Sequence, residues 1–215
     1  MVLDKWKAIF IHIPKTGGGS IESALLMAYF NLRRWRGLDA KRVQNFRKKN
    51  YSHPPYWTQH FTIEERKKHI PKRRINRYFK FCFVRNPWDR MLSEYFYIKK
   101  HEGCNCSEDD SRLKTFDTYL KSSLVCSWPG HAQLQKNFVL NSEGNLQVDF
   151  VGRFENLQQD FDIVCNKINI PTPKLPHFNE TEHGRYTEYY DDETREIVAE
   201  KYAQDIEYFG YKFGE

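Results

Sequence analysis

Three short apolar runs stand apart from an otherwise polar chain, and each predicts a strand. They are "KAIFIHI" (Lys7 to Ile13), "YFKFCFV" (Tyr78 to Val84) and "VDFVGRF" (Val148 to Phe154). Helical spacing fills the intervals. Gly19 to about Asn31 reads as one helix. "FTIEERKKHI" begins a short one, with Thr62 at the cap and Glu65 three residues on as a capping box. "NPWDRMLSEYFYIKK" carries strong start signals: Asn86 as N-cap, Pro87 at the first position, Asp89 in the first turn. "FDTYLKSSL" begins a further helix, and "ENLQQDFDIVCNKI" follows the third strand. A last helix from about Asp191 to Tyr208 places Val198, Tyr202, Ile206 and Phe209 on one face. The basic stretch before His60 reads as irregular or helical, Cys104 to Arg112 as an acidic loop, and Pro171, Pro173 and Pro176 as an extended crossing. Strands alternating with helices predict an α/β domain with a mostly parallel sheet.

The chain has 215 residues, 40% hydrophobic and 29% charged, and shows neither a repeat nor a low-complexity linker. One domain over residues 1–215 is expected. With no apolar run of transmembrane length and no signal-peptide pattern at the start, a cytoplasmic location is the expectation. Of the five cysteines, Cys82 and Cys165 lie in apolar patterns and read as buried thiols. Cys104 and Cys106, with His101 nearby, could bind metal, but structural zinc sites usually show two spaced ligand pairs. Reduced thiols in a polar loop are expected there, and no metal site is assigned.

The net charge of +6 hides an asymmetry. Residues 1–80 carry 19 Lys/Arg and 5 Asp/Glu, a net of +14, and residues 81–215 carry 15 and 23, a net of −8. The excess is densest from Arg33 to Lys49 and from Arg66 to Arg77. Such runs are either a solvated face or the footprint of an anionic partner: a nucleotide, an acidic glycan or nucleic acid.

Between the first strand and the first helix stands "PKTGGGS", Pro14 to Ser20. A strand, a glycine-rich turn and a helix N-terminus make an anion site from backbone N–H groups and the helix dipole. A nucleotide-triphosphate loop would place its lysine after the glycines, beside a Ser or Thr that holds Mg²⁺. Here Lys15 and Thr16 come first, and Ser20 opens the helix without a lysine beside it. The anion logic is kept and the magnesium logic is not. A second constellation is "FVRNPWDRMLSEY". Arg85 ends a strand, where open α/β sheets bind ligands, and offers a fork suited to phosphate oxygens. Ser93 follows eight residues later in the next helix. Taken alone, Arg85 could pair with Glu94 and Ser93 could be surface. A nucleotide with phosphates at both ends would use both constellations.

"HIPKTGGGS" and "FKFCFVRNPWDRMLSEY" resemble the two nucleotide-binding motifs of carbohydrate-type sulfotransferases, the Golgi glycan enzymes and their bacterial relatives. "VDFVGRFENLQQDF" and "YYDDETREIVAEKYAQDIEYFGY" resemble that family's later segments, so the likeness runs in order from Ile9 to about Phe213. Gly19 stands where the family commonly has threonine. The resemblance implies a three-layer, P-loop-like fold with helices flanking a central, mostly parallel sheet. It implies transfer of a sulfuryl group from 3′-phosphoadenosine 5′-phosphosulfate to a hydroxyl or amine, without a metal. Lys15 would stabilise charge on the bridging oxygen, and Thr16, Gly17, Gly18, Gly19 and Ser20 would bind the 5′-phosphate. Arg85 and Ser93 would bind the 3′-phosphate.

His60 is the candidate general base. It precedes the helix capped by Thr62 and fits the family's histidine between the two motifs; His53 is the reserve, and Glu22 and Glu94 are nearby carboxylates. "GHAQLQKNF" resembles a segment near the acceptor, which makes His131 and Gln135 candidate substrate contacts. Arg185 and Tyr186 are candidates to close over the donor, and Arg153 reads as a partner of Glu155 or Asp149. The acceptor is expected to be a glycan or another hydroxyl compound, and nucleic acid is not the expected partner. The alternatives are a magnesium-dependent phosphoryl transferase and a non-catalytic basic module that binds anions or glycans.

Overall fold

The computed structural model describes residues 1–31, 59–100, 111–122, 130–176 and 184–215. His53, His101, Cys104, Cys106 and the basic run from Arg33 to Lys49 lie outside them. In chain order the elements are β1 (Val2–Leu3), β2 (Ala8–Ile11), α1 (Gly18–Tyr29), α2 (Ile63–Lys67), α3 (Lys72–Arg77), β3 (Phe79–Val84) and α4 (Pro87–Lys100). Then come α5 (Phe116–Lys121), β4 (Phe150–Arg153), α6 (Leu157–Lys167), α7 (Asp192–Lys201) and α8 (Ala203–Phe209). They group into two compact units, one from Met1–Val84 with Asn137–Asn179, the other from Arg85–Lys136 with Glu180–Glu215.

The first unit holds a four-stranded sheet in the order β1-β2-β3-β4. β2, β3 and β4 run parallel, with Phe10 beside Phe81 and Phe81 beside Phe150, and β1 adds an antiparallel edge. This is the mixed α/β architecture, a mostly parallel sheet flanked by helices, that the alternation of patterns predicts. Phe10, Phe81 and Phe83 pack on Ile21, Ala24 and Leu25 of α1 and on Phe161, Val164 and Cys165 of α6. Their sequence neighbours Ile9, Ile11, Cys82 and Val84 are buried as well. Continuous apolar runs rather than alternation are what parallel strands covered on both faces require. Burial raises the pKa of the Cys82 and Cys165 thiols, so both are inert packing groups.

In the second unit, Met91, Leu92, Tyr95 and Ile98 of α4 pack with Phe116, Tyr119 and Leu120 of α5 and with Val198 of α7. Asn86 caps α4 as expected, its Oδ1 accepting the Trp88 N–H at 3.1 Å. The Thr62–Glu65 capping box on α2 also forms. The last helix departs from its pattern: it breaks at Tyr202 (φ −113°, ψ 20°) into α7 and α8. Beyond the break Asp205 is fully buried and accepts the backbone N–H groups of Gln135 and Lys136 at 2.7 and 2.9 Å. Two elements escape the sequence reading. β1 is only two residues long, and the "KRRINR" of α3 buries Ile75 alone, too little to make a period. α6 starts at Leu157 rather than Glu155 because Phe154–Asn156 form a 3-10 turn.

Gly152 on β4 pairs with Phe83 on β3, and a Cβ there would fall 2.5 Å from the Phe83 ring. Gly152→Ala is therefore expected to cost about 1–3 kcal/mol by overpacking. Urea unfolding checks it; an unchanged midpoint would show that the ring has room to yield.

Candidate functional site

β2 ends at Ile11, and the chain turns through residues 12–17 into α1. The turn takes its shape from two left-handed residues, Lys15 (φ 67°) and Gly17 (φ 79°). Gly17 adopts that conformation without strain and serves as the N-cap of α1. Lys15 is not glycine, and such a residue costs roughly 1–2 kcal/mol, a strain typical of functional turns. Thr16 is fully buried, and its hydroxyl donates to the Ile13 carbonyl at 2.9 Å. That hydroxyl braces the turn, so Thr16 has its backbone N–H to offer an anion. Gly18 has no room for a side chain: a Cβ would lie 2.1 Å from His12 Nε2. At Gly19 a Cβ would meet nothing within 4 Å, so the position has space for a larger residue. In the first turn of α1 the Ser20 and Ile21 N–H groups donate to the Gly17 carbonyl at 3.0 and 3.2 Å, and the N–H groups of Gly18 and Gly19 come before that bonding begins.

Behind the turn lies a buried polar group. His12 Nδ1 donates to Glu22 Oε1 at 2.9 Å, and Gln59 Nε2 donates to Glu22 Oε2 at 2.7 Å. Gln59 is held in turn by Arg66 of α2, whose Nη2 donates to its carbonyl at 2.9 Å. His60, half-buried, has its Nδ1 at 3.2 Å from the His12 carbonyl. A carbonyl only accepts, so the proton of neutral His60 sits on Nδ1 and the lone pair is on Nε2. α2 is only five residues long, so this hydrogen bond, more than a helix dipole, sets the state of the imidazole. His12 and Gln59 are passed over by the sequence reading. The available signal is a histidine inside an otherwise apolar strand, a residue that burial obliges to find a partner.

In the second unit, Arg85 forms a two-pronged ion pair with Asp89: Nε to Oδ2 at 2.8 Å and Nη2 to Oδ1 at 2.9 Å. Asp89, not Glu94, is its partner. Arg85, Asp89 and Ser93 are spaced by four residues, and Asp89 and Ser93 share a face of α4. Gln135 is fully buried: its Nε2 donates to the Arg85 carbonyl at 2.8 Å, and its Oε1 accepts the Arg85 N–H at 2.9 Å. It holds the backbone of the arginine. His131 is also buried, and its Nδ1 lies 2.9 Å from both oxygens of the Glu94 carboxylate. Tyr186 has its hydroxyl in a backbone cluster, accepting the Gly214 N–H at 2.6 Å, while Arg185 beside it is exposed. Asp149 pairs with Lys80 at 2.9 Å, and the Arg153 backbone N–H donates to Asp160 at 2.6 Å. Among the described residues no cluster of three His, Cys, Asp or Glu could hold a metal, and no helix is long and apolar enough to cross a membrane.

The comparisons with known proteins agree with these motifs. A sequence model of the sulfotransferase family matches residues 1–212. The chain belongs to the sulfotransferase family. It is also similar to an uncharacterized protein of Archaeoglobus fulgidus, 30% identical over 105 residues, covering 47% of this chain and 77% of that protein. Family membership makes sulfuryl transfer the general chemistry and implies an acceptor substrate.

The crowding at Gly18 yields a paired prediction. Gly18→Ala is expected to lower stability by about 1–3 kcal/mol, because His12 must move. Gly19→Ala is expected to be neutral or stabilising by up to about 1 kcal/mol. Denaturant midpoints of the two variants separate these outcomes; equal losses would show that the His12 contact does not govern the turn. Gln135→Leu leaves two backbone groups of Arg85 unsatisfied and should cost about 1–3 kcal/mol, read the same way.

Proposed function

We propose that this protein transfers a sulfuryl group from 3′-phosphoadenosine 5′-phosphosulfate to an acceptor hydroxyl or amine, with a glycan as the expected acceptor. The observation that carries the reading is the turn after β2, with a strained lysine at its start and helix amides at its end, in the same unit as a histidine whose tautomer suits a base. The donor supplies a sulfuryl group already activated by its link to phosphate.

The chain's residues then divide the work. The segment from Thr16 to Ser20 binds the 5′-phosphate, an anion held by a helix N-terminus. Lys15 places its ammonium at the oxygen that takes up charge as the S–O bond breaks. His60 Nε2 takes the acceptor proton as the acceptor oxygen forms its bond to sulfur, and the electron pair of the broken bond leaves with the phosphate. Arg85, its plane fixed by Asp89 and its backbone by Gln135, binds the 3′-phosphate with Ser93, which distinguishes the donor from ATP. Given their buried contacts, His131 and Gln135 act on the acceptor indirectly, by holding the chain around it. Arg185, exposed beside Tyr186, is the member of that pair able to reach the donor.

Titration calorimetry with adenosine 3′,5′-bisphosphate in the absence of metal, beside ATP with magnesium, tests the donor. Tight binding of the bisphosphate, weakened at least tenfold in Arg85→Ala, is the expected result, since charge-assisted contacts of this kind contribute about 1.5–3 kcal/mol. Binding of ATP–magnesium alone would replace the reading with phosphoryl transfer. In a sulfation assay over glycan and small-molecule acceptors, His60→Ala should lower kcat by about 10²–10⁴. A wild-type rate would remove His60 as the base.

A further inference from the structure

The transfer reaction as described makes no direct use of the buried group behind His60. Glu22 is only 2% exposed, and its two oxygens take the donors of His12 and Gln59. A carboxylate buried so fully persists because it is paired, and its field is weakly screened. Two links run from it to His60. One is mechanical: Glu22 fixes the His12 ring, and the His12 carbonyl takes the His60 Nδ1 proton at 3.2 Å. The other is electrostatic: the His12 ring meets the His60 ring edge to face with centroids 4.6 Å apart, so the Glu22 charge lies one ring away.

The titratable groups on the elements packed around this point are His12 at the end of β2, Glu22 on α1, Arg66 on α2 and the Met1 amino group. The Met1 amine donates to the Phe10 carbonyl, and burial, then Arg66, hold its pKa well below the ordinary value against the pull of Glu22. Of these four groups Glu22 is the anion.

We propose that Glu22 and His12 are a positioning pair for His60: they fix the Nδ1–H tautomer that leaves Nε2 to act as base, and the Glu22 carboxylate stabilises the imidazolium formed when Nε2 takes the acceptor proton. The inference rests on the reading of His60 as the base. His12 also packs on Gly18, so the same side chain sets the donor turn and the base together.

Long-range proton–nitrogen NMR on the wild-type protein reads which nitrogen of His60 carries the proton, with His60→Gln identifying the resonances. The Nδ1–H tautomer is expected. Glu22→Gln keeps the volume and removes the charge. It should lower the pH at which His60 titrates by about half a pH unit, because the imidazolium loses its nearby anion. The Kd for adenosine 3′,5′-bisphosphate should stay within about twofold of wild type, since a purely structural defect would weaken it further. An Nε2–H tautomer in the wild type, or an unchanged His60 titration in folded Glu22→Gln, would overturn the pairing. If Glu22→Gln does not fold, the wild-type tautomer decides. These resonances report on the pair whatever His60 does in turnover, whereas the base reading fails separately, on the rate of His60→Ala.

Discussion

His12 lies against Gly18 so closely that a Cβ there would fall 2.1 Å from its Nε2, and the turn after β2 depends on that fit. With glycine in place, the imidazole can lie across the start of α1 and present Nδ1 to Glu22, one helical turn further along. The strand end and the helix start are thereby locked to one another through the imidazole and the buried carboxylate. Thr16 braces the same turn from within, and Lys15 is held in a conformation that a lysine would leave if the surroundings allowed it. The histidine's backbone carbonyl then holds His60. A single steric allowance thus underlies the anion-binding turn and the state of the candidate base.

The second unit applies the same economy to an arginine. The Asp89 fork fixes the plane of the Arg85 guanidinium, and the Gln135 amide pairs with both backbone groups of that residue. Asp205 anchors the segment that carries Gln135. Burial raises the Asp205 pKa, and the two backbone N–H donors oppose that shift, so the carboxylate is partly compensated for its desolvation. An arginine held in this way loses little conformational freedom on meeting an anion, which favours affinity and geometric selectivity.

The apolar runs were sufficient to find β2, β3 and β4, because parallel strands buried on both faces leave an unbroken apolar signature. The helix starts at Asn86 and Thr62 were legible because capping is local chemistry, settled within three residues. The turn from Pro14 to Ser20 was legible for the same reason. What escaped was non-local. Gln135 and His131 stood out through the likeness of their segment to one near an acceptor, and the partners they have in the fold, Arg85 and Glu94, lie far away in sequence. β1 was too short to carry a pattern, and the break at Tyr202 interrupts a helical spacing that runs on unbroken in the sequence.

The sequence by itself determined the α/β class, the glycine-rich turn with its leading lysine, and the arginine at the end of the second strand of the motif pair. Each is encoded in contiguous residues, where backbone preferences and apolar period act directly. Only the tertiary structure decided which polar groups meet. It joined His12 to Glu22 and Gln59, His60 to the His12 carbonyl, and Arg85 to Asp89 and Gln135. Burial makes such pairings obligatory, but the partner is whichever group packing brings within about 3 Å, and that distance is not written along the chain.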